Sequence, residues 1–178
     1  MFDFLSQFFQ LIWDMLPRPV MVKPTERASC WLFGKYPYDI GPGPKIIWPM
    51  IMHFHVYPVV SQICETAIIA VTDASGCDWQ WRLAIEYRVT DVLAYDTTSY
   101  YTQNHLEQIG GHALVNLISG RTKDQLLEIP VSKICGRIKE RIAEKVVENG
   151  IEVIAVRTVM ASRCRPIFLS NAERLAVT

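Results

Sequence analysis

Several common signatures of function are missing from this chain of 178 residues. It carries no net charge, since 18 Lys and Arg balance 18 Asp and Glu. That argues against a dedicated nucleic-acid binder, which shows a basic excess. It has no Cys-x-x-Cys pair. The five cysteines, Cys30, Cys64, Cys77, Cys135 and Cys164, are dispersed along the chain. An odd, scattered set reads as reduced thiols in a cytosolic setting rather than as a disulfide framework. There is no Gly-x-Ser-x-Gly and no Walker pattern. Ser119-Gly120-Arg121 falls at a helix end rather than a helix start, which makes it a poor phosphate cradle. His53 and His55 share one face of an extended segment, and His105 and His112 share one helical face two turns apart. Neither pair has a third ligand at a suitable local spacing. Asp73, Asp78, Glu86 and Asp91 are scattered, and nothing marks two of them as an acid/base pair. The expectation is a protein without catalytic residues, metal or cofactor.

What the chain does have is pattern. Trp79 to Asp91 reads WQWRLAIEYRVTD. Trp79, Trp81, Leu83, Ile85, Tyr87 and Val89 fall on one side of a pleat, with Gln80, Arg82, Ala84, Glu86, Arg88 and Thr90 on the other. A period of two predicts a strand with one buried face. Asp91 then supplies a carboxylate where a helix can begin, at Val92.

Before this strand the signals are those of a sheet. Ala28–Phe33 is a strand closed by Gly34. Gly41, Pro42, Gly43 and Pro44 predict a rigid turn. Ile46–Trp48, Met52–Val60 and Ile63–Val71 are extended, and Thr72-Asp73-Ala74-Ser75-Gly76 is a turn. After it the period changes. Leu106, Ile109, Gly110, Ala113, Leu114, Leu117 and Ile118 keep helical spacing, with Gly120 as the expected C-terminal cap. Thr122 and Gln125 have capping-box spacing for a short helix through Glu128. Val131, Ile134, Cys135, Ile138, Ile142, Val146 and Val147 mark a longer helix that Asn149-Gly150 ends. Ile151–Met160 reads as a final strand. Strands, then helices, then a strand predict an α+β fold, mostly antiparallel sheet followed by amphipathic helices.

The first 16 residues, MFDFLSQFFQLIWDML, stand apart, with four of the chain's seven phenylalanines. On a helical wheel Asp3, Ser6, Gln7, Gln10 and Asp14 gather into one sector of roughly 100°, and the rest is apolar. Such a helix spans about 24 Å, short of the ~30 Å hydrocarbon core. The segment has neither the positive start nor the cleavage site of a signal peptide, and Pro17 and Pro19 stop it. It is expected to lie in a membrane interface through Phe2, Phe4, Leu5, Phe8, Phe9, Leu11, Ile12, Trp13, Met15 and Leu16. The alternative is a helix docked on the protein's own core or on a neighbouring subunit.

Several segments together resemble the SPFH, or Band 7, domain of stomatin, prohibitin, flotillin and the bacterial HflK/HflC proteins. The family's entry pattern is similar to Glu26-Arg27-Ala28 through Phe33-Gly34-Lys35, followed by Gly41-Pro42-Gly43 and Pro49. Its Thr-Asp turn before a long strand resembles Thr72-Asp73. Its Tyr-Arg-Val-Thr-Asp matches Tyr87 to Asp91, its apolar helix and following turn resemble Leu106 to Leu127, and its Gly-Ile-Glu-Val matches Gly150 to Val153. The resemblance covers about residues 20–162. Val92 stands where the family usually has proline. Most members continue into a long coiled coil, whereas Arg163, Pro166 and Asn171 break any heptad in the stretch that follows the last strand here. Assembly through a coiled coil is therefore not carried over.

One further face has a charge pattern. Along the long helix, Arg137-Glu140, Arg141-Glu144 and Lys145-Glu148 are opposite pairs at i,i+3, whereas the i,i+4 pairs are like-charged. Arg137, Glu140, Arg141, Glu144 and Glu148 are read as a solvated face or as a subunit seam. The expected organisation is an amphipathic anchor at 1–17, an SPFH-like domain at 18–162 and a short tail at 163–178. The resemblance implies a non-enzymatic scaffold on the cytoplasmic face of a membrane. It would be a homo-oligomer, a ring or patch, that contacts lipid and encloses or organises a membrane region, membrane protein or protease, and not nucleic acid. The alternative is a soluble self-assembling shell or adaptor whose first helix packs on a neighbouring subunit.

Overall fold

The structure, a computed structural model, describes residues 16–98 and 102–164. The segment 1–15 therefore lies outside the described residues. In chain order the strands are β1 (Arg18–Val22), β2 (Glu26–Leu32), β3 (Tyr36–Ile40), β4 (Gly43–Ile47), β5 (Met52–Pro58), β6 (Gln62–Glu65), β7 (Ile69–Thr72) and β8 (Asp78–Val89). Helices α1 (Val92–Thr98), α2 (Thr102–Ile118), α3 (Lys123–Glu128) and α4 (Val131–Val146) follow. A 3-10 turn at Val147–Asn149 leads into β9 (Ile151–Cys164). The fold is α+β, as the periodicities predict.

Three expectations need correction. The Ile63–Val71 stretch is two strands, β6 and β7, rather than one. Between them Thr66 N still donates to the Leu83 carbonyl at 2.9 Å, but side chains take over the return bonds: Thr66 Oγ1 accepts from Leu83 N at 3.0 Å, and the Thr66 carbonyl accepts from Arg82 Nε at 3.3 Å. The rigid turn at Gly41–Pro44 is half strand, because Gly43 and Pro44 already belong to β4. Gly120 is not a left-handed cap, since it is not among the glycines with positive φ.

The described residues fall into two compact units, each assembled from separate stretches of chain. Of the described residues, the first draws on 16–63, 86–98, 102–103 and Ala143–Ile154. In it β1 and β4 form an antiparallel ribbon, with Pro19 opposite Ile46 and Met21 opposite Pro44. The alternate positions Val22 and Ile47 are buried. β2 lies between β3 and β5 in a three-stranded antiparallel sheet. Asp91 begins α1 as expected: its carboxylate accepts from Leu93 N at 2.9 Å and Ala94 N at 3.1 Å. The carbonyl of Gly150 accepts from both Thr90 N and Asp91 N. Gly150 has φ +68°, and a Cβ there would lie 2.2 Å from the Asp91 carbonyl oxygen, so only glycine fits.

Of the described residues, the second unit draws on Cys64–Ile85, Asn104–Ile142 and 155–164. Its core is mostly aliphatic. Leu83 and Ile85 of β8, Leu106, Leu114 and Ile118 of α2, and Ile134, Ile138 and Ile142 of α4 are all fully buried. Helix and strand approach closely at Gly110, where a Cβ would meet Ile85 Cδ1 at 2.9 Å. β7 pairs antiparallel with β8, Ile69 opposite Trp81. The alternation read along β8 holds from Trp81 to Val89, whose odd-numbered residues are buried.

Candidate functional site

The structure brings together one cluster that no spacing in the sequence announced. Asp96, in α1, aims its carboxylate at the β2–β5 sheet of the first unit. Antiparallel register places Ser29 opposite His55, Trp31 opposite His53 and Arg27 opposite Tyr57, so these alternate residues share one face. Ser29 Oγ donates to Asp96 Oδ2 at 2.6 Å and Trp31 Nε1 donates to the same oxygen at 2.5 Å. Tyr57 OH donates to Oδ1, and His55 Nδ1 lies 3.1 Å from it. The Asp96 side chain is only 7% exposed. Burial pushes its carboxyl up, but the hydrogen bonds from Ser29, Tyr57, Trp31 and His55 outweigh burial and hold it at about 2. Burial first, and then the Asp96 hydrogen bond, push the Tyr57 hydroxyl above its ordinary range.

Serine, histidine and aspartate together invite a comparison with a catalytic triad. The geometry answers it. In a triad the aspartate orients the histidine and the histidine takes the serine proton. Here Ser29 and His55 bond separate oxygens of one carboxylate, which accepts from all sides. No nucleophile–base pair is formed, and Asp96 ties α1 to two strands.

A second buried aspartate serves the second unit. Asp73 Oδ1 accepts from Ser75 N at 2.8 Å and Cys77 N at 2.9 Å, and Oδ2 accepts from Trp79 Nε1 at 3.0 Å. The Trp79 bond leads in holding this carboxyl below its usual range. The expected turn at Thr72–Gly76 is thus closed by its own aspartate.

The residues singled out from sequence are placed as follows. Of the membrane-binding set, Phe2 to Met15 lie outside the described residues, and Leu16 is exposed. Arg137, Glu140, Arg141 and Glu144 are exposed on α4, and Glu148 is exposed in the 3-10 turn just beyond it rather than on the helix. None of these five forms an ion pair with another described residue. His53, His55, His105 and His112 are exposed. No group of three or more His, Cys, Asp or Glu among the described residues could hold a metal ion. Cys30, Cys64, Cys77 and Cys135 are in no disulfide with a described residue. Ser119 and Gly120 follow the end of α2, and the Arg121 guanidinium is turned back to donate to the Leu117 carbonyl at 2.8 Å.

An α+β domain with polar ties and exposed charge, and no nucleophile–base pair in the Ser29/His55/Asp96 cluster, is the class of protein these features define. The sequence profile of the SPFH domain / Band 7 family matches residues 20–174. The chain belongs to that family. Its members are generally membrane-associated scaffolds and typically not enzymes. No curated protein matches the sequence. No helix among the described residues is long and apolar enough to cross a membrane.

Proposed function

We propose that the protein is a non-enzymatic scaffold that associates peripherally with the cytoplasmic face of a membrane and assembles there into a ring or patch. The assembly organises the membrane region it covers or encloses a membrane protein or protease. The family match over residues 20–174 carries this reading. The exposed charges of α4, which have no ion-pair partner among the described residues, support self-assembly through that face. The apolar sector of residues 1–16 supports lipid contact. A single copy of that segment binds weakly, because Asp3 and Asp14 gain nothing from anionic lipid. Many copies on one plane multiply binding by ~10²–10⁴ through avidity.

The test uses two double variants and two measurements, particle mass in solution and flotation with vesicles. Phe8→Asp with Phe9→Asp is expected to abolish flotation and leave particle mass unchanged. Arg137→Glu with Arg141→Glu is expected to give monomers that float poorly. A monomer that binds vesicles as tightly as the assembly would remove the avidity argument. An assembly that never floats would favour the soluble shell.

A further inference from the structure

The first unit carries apolar side chains where its own folding does not use them. The hydrogen bond from Lys35 N to the Leu32 carbonyl closes the β2–β3 turn around Phe33 and Gly34. Phe33 sits there at φ +52°, the one described non-glycine residue in the left-handed region. Gly, Asn and Asp occupy that position with less strain. The ring gains no packing in return, being 66% exposed. The β4–β5 turn lies alongside, since Phe33 N donates to the Ile51 carbonyl at 2.8 Å. That turn exposes Trp48 by 50% and Met50 by 65%. The same character continues along the ribbon, where Pro19, Met21, Pro44 and Ile46 share the face opposite buried Val22 and Ile47. The charges nearby are mostly positive. Between Leu32 and Met52 the charged residues are Lys35, Lys45 and Asp39. Asp39 is already paired with Arg27 at 3.0 Å.

We propose that the β2–β3 and β4–β5 turns form a second lipid-contacting tip. Phe33, Trp48 and Met50 enter the interfacial layer of an anionic bilayer, and Lys35 and Lys45 meet its headgroups. The occupant is lipid rather than protein for two reasons. Aromatic and Met side chains flanked by lysines without an ion-pair partner among the described residues match an anionic interface. The ribbon is also continuous in sequence with the apolar segment that ends at Leu16. The inference rests on the membrane reading above and adds a contact that does not depend on residues 1–16.

The experiment is flotation of the full chain with vesicles of phosphatidylcholine and phosphatidylserine, alongside melting temperature and particle mass. Phe33→Asn is chosen because asparagine suits a left-handed turn, so its melting temperature should equal or exceed the wild type. Combined with Trp48→Ser, it is expected to lower the vesicle partition coefficient about tenfold, with particle mass unchanged. Lys35→Gln with Lys45→Gln is expected to weaken binding to these vesicles and not to pure phosphatidylcholine. Wild-type flotation by Phe33→Asn/Trp48→Ser overturns the tip while leaving the scaffold reading intact. Loss of particle mass by that variant overturns it in favour of a protein contact, as does a lower melting temperature for Phe33→Asn in favour of a packing role. A wild-type chain that does not float overturns both readings together.

Discussion

The two units are held together by different physics. In the second, the fully buried large side chains are aliphatic and come from β8, α2 and α4. Burial is non-directional, and many small losses can be absorbed there. In the first, the decisive contacts are polar and exact in geometry. One carboxylate gathers Ser29, Trp31, His55 and Tyr57, and one glycine admits the backbone of Asp91. The buried aspartates repeat the contrast. Asp96 reaches partners 39 to 67 residues away, whereas Asp73 serves groups two to six residues on. A long-range polar tie concentrates stability in few atoms. A local one shapes a turn that other forces keep in place.

Breaking the first unit at its tightest point should have the largest effect. Gly150→Ala puts a methyl group into the Asp91 carbonyl at a φ that alanine resists. The expected loss is about 3 kcal/mol or more, read by denaturant unfolding. Next is Asp96→Asn, which leaves donors facing an amide that offers a single acceptor oxygen. The expected loss at neutral pH is about 2–3 kcal/mol. This variant also changes the acid response. The folded carboxyl titrates at about 2, below the ~3.9 of an unfolded aspartate. Its contribution is therefore fully present above the unfolded value and is lost as pH falls through the folded one. Stability of the wild type should decline between roughly pH 5 and 2, and Asp96→Asn should flatten that decline by about 2 kcal/mol. The smallest effect belongs to Asp73→Asn. Its depressed carboxyl has the same sign of pH dependence, but the change should be confined to faster amide exchange at Ser75 and Cys77. If Asp73→Asn destabilises as much as Asp96→Asn, the contrast between local and long-range ties fails.

The same contrast explains what could be read in advance. Strand β8 was legible because its burial alternates from Trp81 to Val89. Helix α4 was legible because Ile134, Ile138 and Ile142 repeat at four. The Asp73 turn was legible because its partners are neighbours. Strands β1 and β3 carry no strand signal, because Pro19 and Pro37 look like breakers. Proline is tolerated where a strand has a free edge, as in a two-stranded ribbon or at the rim of a sheet. The Asp96 cluster was invisible because its donors converge only after β2 and β5 pair in register. The trace it left was polar alternation, Arg27-Ser29-Trp31 against His53-His55-Tyr57. The family resemblance supplied the fold but not that cluster.

The interleaving of the two units has a consequence for how the protein is made. The first unit needs residues as far as Ile154, and the second begins at Cys64 and resumes at Ala155. Neither can close while the ribosome is still producing the middle of the chain. At ~5–20 residues per second, the stretch from the end of β8 at Val89 to the end of β9 at Cys164 takes roughly 4–15 s. Throughout that interval β8 exists as an alternating apolar stretch without β9, its last partner. Nascent strands of this kind are targets for association with one another and for chaperones. The order in which the sequence is spelled thus defers closure of both units until β9 has been made.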